Sequence, residues 1–186
     1  MKKMPDNIEI SPEEFEKLVH EYLLEAGKGL KKFEAVHDVK MQAHDGTYQI
    51  DIKATFEAIN CDIVILIECK RHSAPIKREI VQVLNDKVRS LGAHKGILFS
   101  TSPFQGGAKT YAQEHGIATV QLIEGRFTYV TKAAGEQEFN PPFWANIPKY
   151  VGQFEYASGS YYLLQPGYID KLSEFIFIDG KEYQKN

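Results

Sequence analysis

Apolar positions along the chain switch between helical and strand-like spacing, which predicts a mixed α/β fold. A helix is predicted after Ser11, where Pro12 and Glu14 complete a capping box and an apolar stripe with helical spacing follows. Two strands are predicted next, over Tyr48–Thr55 and Asp62–Lys70. The second contains an uninterrupted apolar run, so we expect it to be buried on both faces inside a sheet.

A second helix is predicted to begin at Pro75 or Ile76. Its expected buried stripe comprises Ile76, Ile80, Val83, Leu84, Val88 and Leu91. This phase places Gln82 on the exposed side. The short apolar strand Gly96–Ser100 follows, and because a helix connects it to the preceding strand, the two strands are expected to be parallel. A further helix and a further strand are predicted before residue 125.

The composition changes near residue 133. Residues 139–186 hold 12 of the 22 aromatic side chains, and two hairpins are predicted there, one with a turn at Ser158-Gly159 and one in EFIFIDGKEYQ. We therefore expect a main domain over residues 1–132 and an aromatic-rich β appendage over residues 133–186. Such a segment should pack on the core or on a second subunit, which makes a homodimer through it one expectation.

Composition and charge narrow the class of protein. A chain of 186 residues with 43% hydrophobic content suits one domain with an extension. The sequence has no signal peptide and no apolar run of membrane-spanning length, and its two cysteines fit a reduced compartment, so a cytoplasmic protein is expected. The net charge of −3 counts against a broad non-specific DNA surface, although the stretch Glu68–Lys95 is locally basic.

Three charged residues stand out against the apolar strands: Asp51, Glu68 and Lys70. Glu68 and Lys70 share one face of their strand, whereas Cys69 points to the core as a free thiol. If the two strands pair as a hairpin, Asp51 comes alongside Glu68, and a cation commonly relieves the repulsion between neighbouring carboxylates. Oxygen ligands favour Mg²⁺, with Mn²⁺ as the expected substitute. This predicts phosphodiester hydrolysis, in which Lys70 holds or deprotonates the attacking water.

Asp51 followed by Glu68-x-Lys70 resembles the active-site signature of the PD-(D/E)XK nuclease superfamily, and the surrounding sequence is similar to its Mrr-like restriction endonuclease branch. The similarity covers residues 10–125 through the segments SPEEFEKLVHEYLLEAG, IDIKA, VILIECKRH, IKREIVQVLNDKVRSLGA, KGILFSTSPF and GAKTYAQEHGI. Ile50 departs from the signature, which has Pro there. The resemblance implies a restriction-endonuclease-like mixed sheet flanked by helices, a DNA substrate, and metal ligation by Asp51 and Glu68.

The resemblance also implies a carboxylate on the first helix that reaches the metal. Glu16 is the position that matches, and a solvated helix glutamate is the alternative. For the motif itself, the alternative is a surface ion pair between Glu68 and Lys70, which would contribute little to stability. Three functions stay open: a restriction or defence endonuclease, a nuclease for branched or structured DNA, and a non-catalytic DNA-binding or assembly module on the same fold.

Overall fold

The computed structural model of the chain describes residues 8–125, 147–155 and 161–177. Within these ranges, seven strands form one sheet in which each strand neighbours the next along the chain. The strands are β1 (Glu34–Ala43), β2 (Gly46–Ala58), β3 (Cys61–Lys70), β4 (Lys95–Ser100), β5 (Ile117–Glu124), β6 (Tyr150–Glu155) and β7 (Tyr161–Leu164). The helices are α1 (Pro12–Ala26), α2 (Arg78–Ser90), α3 (Gly106–Glu114) and α4 (Asp170–Phe177).

The predicted internal strand is β3, and its apolar run explains its place in the sheet. Ile65, Leu66 and Ile67 are fully buried, which requires cover on both faces. β3 pairs antiparallel with β2 and parallel with β4. Helix α2 supplies the crossover that a parallel pair needs. The predicted mixed sheet flanked by helices is therefore confirmed.

Two hydrophobic clusters cover the two faces of this sheet. The first core cluster contains Phe15 of α1 and Phe175 of α4, packed with Ile65. The second core cluster contains Leu84 of α2 and Ala108 of α3, among other buried side chains. Strand β3 thus lies between two helical layers.

Helix α1 begins as the sequence predicts. The Ser11 side chain accepts a hydrogen bond from the backbone N–H of Glu14, and the Glu14 side chain accepts one from the backbone N–H of Ser11, both at 3.1 Å. This reciprocal pair satisfies two amides that the first helical turn leaves without partners. None of the helices in the described ranges has the length and apolar character that crossing a membrane requires.

Helix α2 begins at Arg78, later than the sequence predicts, because Ile76 is held in extended conformation. The backbone N–H of Ile76 donates to the carbonyl of Pro103 at 2.8 Å, and its own carbonyl accepts from the N–H of Gln105 at 2.9 Å. These bonds form an isolated parallel bridge between Ile76 and Phe104. The backbone hydrogen bonds of Ile76 therefore connect the loop before α2 to the loop before α3 and are not helical bonds.

The phase of α2 also differs from the prediction. Val83 is 57% exposed, although it was expected in the buried stripe, and Val81 is fully buried instead. The helix is rotated so that Asn85 is buried, and its side-chain amide donates to the Tyr111 hydroxyl at 2.9 Å. A satisfied polar side chain can therefore lie on the buried face. The predicted exposure of Gln82 is confirmed.

The C-terminal strands extend the same sheet. β6 pairs antiparallel with both β5 and β7, which confirms the first predicted hairpin, although its turn at Ser158-Gly159 lies outside the described residues. The first strand of the second predicted hairpin is wrong, because Glu174–Phe177 belongs to α4, and the turn and second strand of that hairpin lie outside the described residues. Helical spacing of Leu172, Phe175 and Ile176 buries them in the first core cluster. The boundary at residue 132 also lies outside the described residues, and the division into domains stays a prediction.

The corrected phase of α2 predicts different effects for two adjacent substitutions. Leu84→Ala should lower the free energy of unfolding by about 2–5 kcal/mol, because it leaves a cavity in the second core cluster. Val83→Ala should change it by about 0.5 kcal/mol or less, because Val83 faces solvent. Chemical denaturation of both variants measures the difference, and equal losses would show that the helix has the phase predicted from sequence.

Candidate active site

The predicted site residues lie on β2 and β3, and the pairing between these two strands ends at the site. The antiparallel ladder between β2 and β3 ends at the pair Ile52–Ile67. Beyond that pair the side chain of Asp51 takes the place of a backbone partner, and its Oδ2 accepts a hydrogen bond from the backbone N–H of Cys69 at 2.7 Å. This bond places the Asp51 carboxylate beside the charged end of β3.

Strand β2 is irregular at the same position. The ladder between β1 and β2 keeps one register on both sides, but its described pairs skip Asp38 and Asp51. Asp38 has a φ of +52°, which is uncommon for a residue other than glycine. Ile50 packs in the second core cluster and Ile52 in the first, although residues two apart on a regular strand share a face. β2 therefore changes its buried face at Asp51, an irregularity that is common next to functional sites.

Glu68 is the deeply buried carboxylate of the site, with 5% of its side chain exposed. Each of its oxygens accepts a hydrogen bond from a different ammonium: Oε2 from Nζ of Lys70 and Oε1 from Nζ of Lys87, both at 2.7 Å. Nζ of Lys70 also lies 3.8 Å from Oδ2 of Asp51, so one ammonium faces both carboxylates. A buried carboxylate is unfavourable without such partners. The structure thus brings Asp51, Glu68 and Lys70 together at the end of β3.

The surroundings of Lys70 favour its protonated form. Burial alone would lower the pKa of Lys70, but the hydrogen bond and charge of Glu68, together with the charge of Asp51, raise it above its usual value. Lys70 therefore acts in this arrangement as a cation and hydrogen-bond donor. A donor held beside two carboxylates can offset negative charge that develops on a third group nearby.

The ion pairs of this cluster join Asp51, Glu68, Lys70 and Lys87 and do not include the Cys69 thiol or Glu16. Cys69 is a free thiol that packs against the first core cluster, as predicted, and burial, assisted by the charges of Asp51 and Glu16, raises the pKa of this thiol. Glu16 is exposed on α1. Across the described ranges, no group of three or more His, Cys, Asp or Glu side chains is arranged to hold a metal ion. The structure therefore does not join Glu16 to the other two carboxylates.

The donor set at the end of β3 fits a hard divalent cation. Asp51 and Glu68 offer carboxylate oxygens from neighbouring strands, and the Asp51 side chain is 30% exposed, so water and a phosphate oxygen can reach it. Ions such as Mg²⁺ take one or two carboxylates and complete their octahedral shell with water and substrate oxygens. Asp51 and Glu68 are the residues that would hold such an ion.

Lys87 is the residue of this cluster that the sequence argument did not single out. It lies on α2, distant in sequence from the strand motif, and its Nζ also donates to the backbone carbonyl of Gln49 at 2.8 Å. The available signal was its position three residues after Leu84 and directly before Val88, at the border of the buried face. A lysine there is usually solvated, so only the packed structure reveals its partner.

A carboxylate pair and a lysine at the end of an internal strand, in a mixed sheet flanked by helices, correspond to a nuclease of the restriction endonuclease type. The family Mrr_cat, described as "Restriction endonuclease", matches residues 8–126, which is more than half of the chain. The chain therefore belongs to the Mrr-like restriction endonuclease family, as its sequence resemblance implied. No curated protein matches the sequence.

Two solved structures are similar to part of the chain. One is a protein of unknown function, AF1548, with 25% identity and a TM-score of 0.46 over 56% of this chain and 54% of that chain. The other is Can2 from Sulfobacillus thermosulfidooxidans in complex with cyclic tetra-adenylate, with 21% identity and a TM-score of 0.45 over 56% of this chain and 31% of that chain. The similarity thus spans about half of the first protein and about a third of the second.

The bond between Asp51 and the Cys69 amide predicts that two substitutions of Asp51 will differ in stability. Asp51→Ala removes the acceptor and should lower the free energy of unfolding by about 1–3 kcal/mol, because the partly buried amide loses its partner. Asp51→Asn keeps a carbonyl oxygen for that amide and should stay closer to wild type. Urea denaturation compares the two, and a smaller loss for the alanine variant would contradict the structural role given to this bond.

Proposed function

We propose that the protein is a metal-dependent endonuclease that hydrolyses phosphodiester bonds of DNA, with Mg²⁺ as its cofactor and Mn²⁺ as a substitute. One observation carries the proposal: the carboxylates of Asp51 and Glu68, from neighbouring strands, face the same Lys70 ammonium at the end of β3. Membership of the restriction endonuclease family supports it. The arrangement offers oxygen ligands and a cationic donor within a few ångströms of each other.

The roles of the three residues follow from their chemistry. A divalent ion, when bound, polarises the scissile phosphate and makes a coordinated water more acidic. Asp51 and Glu68 would hold the ion through their carboxylates and would orient the water. Lys70, held protonated by these carboxylates, donates hydrogen bonds to the water or to phosphate oxygens and offsets charge in the transition state.

We propose duplex DNA as the substrate and restriction or defence as the role, and the match to a restriction endonuclease family supports both. A nuclease for junctions or other structured DNA is the alternative on the same fold. The predicted cytoplasmic location and the predicted homodimer through residues 133–186 also stay predictions. Exposed aromatic side chains on β7, Tyr161 and Tyr162, are compatible with the latter.

Digestion of supercoiled plasmid tests the proposal. The wild-type protein should nick or linearise the plasmid in the presence of Mg²⁺ or Mn²⁺, and this cleavage should stop when EDTA is added. Asp51→Asn, Glu68→Gln and Lys70→Met should each reduce the initial rate at least about 100-fold, because each removes a metal ligand or the transition-state donor. A four-way junction and a linear duplex, assayed in parallel, distinguish the two substrate classes.

Two exposed residues provide matched controls for this digest. Asp62 is the second residue of β3, at the end far from the site, and Lys40 lies on β1. Asp62→Asn and Lys40→Met make the same charge changes and should retain wild-type rates. Cleavage that persists in EDTA, or in the Asp51 and Lys70 variants, would overturn the mechanism. DNA binding without any cleavage would favour the non-catalytic module.

Glu16 is proposed to assist the site through its charge and not as a metal ligand, because it is exposed and forms no three-ligand group with Asp51 and Glu68. Glu16→Gln should therefore reduce the cleavage rate by about tenfold or less, in the range of an outer-shell partner. Glu13→Gln on the exposed first turn of α1 is the matched control. A loss as large as that of Asp51→Asn would instead make Glu16 a direct ligand.

A further inference from the structure

Lys87 joins three elements at the site. From α2, its Nζ donates at 2.7 Å to Oε1 of Glu68 on β3 and at 2.8 Å to the backbone carbonyl of Gln49 on β2. Its side chain is 16% exposed. A lysine that is largely buried must have its ammonium satisfied by fixed acceptors, so this side chain has a defined position.

The parting of the strands creates the second acceptor. The described ladder between β2 and β3 ends at the pair Ile52–Ile67. Gln49 therefore lies three residues beyond the last residue of β2 that pairs with β3. The ammonium of Lys87 bonds its carbonyl there. The same opening that admits the Asp51 carboxylate between the strands therefore also gives Lys87 its second contact and ties α2 to both strands.

Four charged groups make up the cluster: the carboxylates of Asp51 and Glu68 and the ammonium groups of Lys70 and Lys87. Their formal charges sum to zero. We propose that Lys87 is a positioning residue for the nuclease reaction, which holds Oε1 of Glu68 and so fixes how this carboxylate is presented to a divalent metal. The inference rests on the proposed function, since it concerns the same site.

A positioning role makes a prediction that a merely structural role does not. An ammonium bound to a carboxylate oxygen competes with a metal ion for that oxygen and repels the metal by its charge. Removing the ammonium should therefore strengthen metal binding while it releases the carboxylate from its fixed orientation and slows the reaction. A residue that only stabilises the fold would weaken both properties together.

Three variants test this inference. Lys87→Met removes the charge, Lys87→Arg keeps it, and Arg89→Met removes a positive charge from an exposed position on the same helix. Isothermal titration with Mn²⁺, without DNA, should show about fivefold or tighter binding to Lys87→Met than to wild type. Plasmid cleavage by the same variant at saturating Mn²⁺ should be about tenfold or more slower. Arg89→Met should match wild type in both assays, and Lys87→Arg should match it in Mn²⁺ binding and recover part of the rate.

The outcomes separate this inference from the proposed function. If wild-type protein cuts DNA and Lys87→Met cuts it equally fast, the inference fails and the proposed function stands. If Lys87→Met loses Mn²⁺ affinity and rate together, Lys87 is a structural residue and the inference also fails. If wild-type protein binds Mn²⁺ but cuts no DNA, the proposed function fails, and the inference fails because it depends on that function. Tighter Mn²⁺ binding with slower cleavage, partly restored by Lys87→Arg, supports the inference.

Discussion

A buried carboxylate at the end of the internal strand sets the condition that the rest of the site meets. Glu68 is only 4% exposed, and an unpaired charge there would be strongly unfavourable. Ammonium groups from β3 itself and from α2 pair with it, each at 2.7 Å. Because a helix supplies one of the two, α2 must dock on the sheet in one register for Glu68 to be paired on both oxygens.

The parting of β2 and β3 gives the second carboxylate its place. In a continuous ladder, Asp51 would stand directly opposite Glu68, and like charges at such positions destabilise a sheet. In the structure the ladder stops one residue earlier, and Asp51 instead accepts the Cys69 amide and faces Lys70. One interruption therefore relieves the repulsion and satisfies a backbone donor. The positive φ of Asp38, on the neighbouring strand β1, occurs at the same level of the sheet.

Local pattern was enough to predict the internal strand and the first helix, because each depends on neighbours within a few positions. The three residues gathered at the end of β3 were predicted from the hairpin pairing of two strands adjacent in sequence and from the family resemblance. The phase of α2 depended on a distant partner: burial of Asn85 becomes favourable only when the Tyr111 hydroxyl of α3 receives its amide. Lys87 was missed for the same reason, since its acceptor Glu68 is 19 residues away in sequence. In EFIFI the dense apolar run resembled a strand, and its helical spacing became clear only with Leu172 included.

The position of Lys87 is determined at the other end of its helix. Ile76 is fully buried, and its backbone bonds to Pro103 and Gln105 hold the loop before α2 against the loop before α3. The helix rises by about 14 Å from Arg78 to Lys87. Because a helix moves largely as a rigid unit, a displacement of its first turn would also displace the Lys87 ammonium. The extended residue that shortens α2 relative to the sequence prediction therefore also fixes the register in which Lys87 meets Glu68.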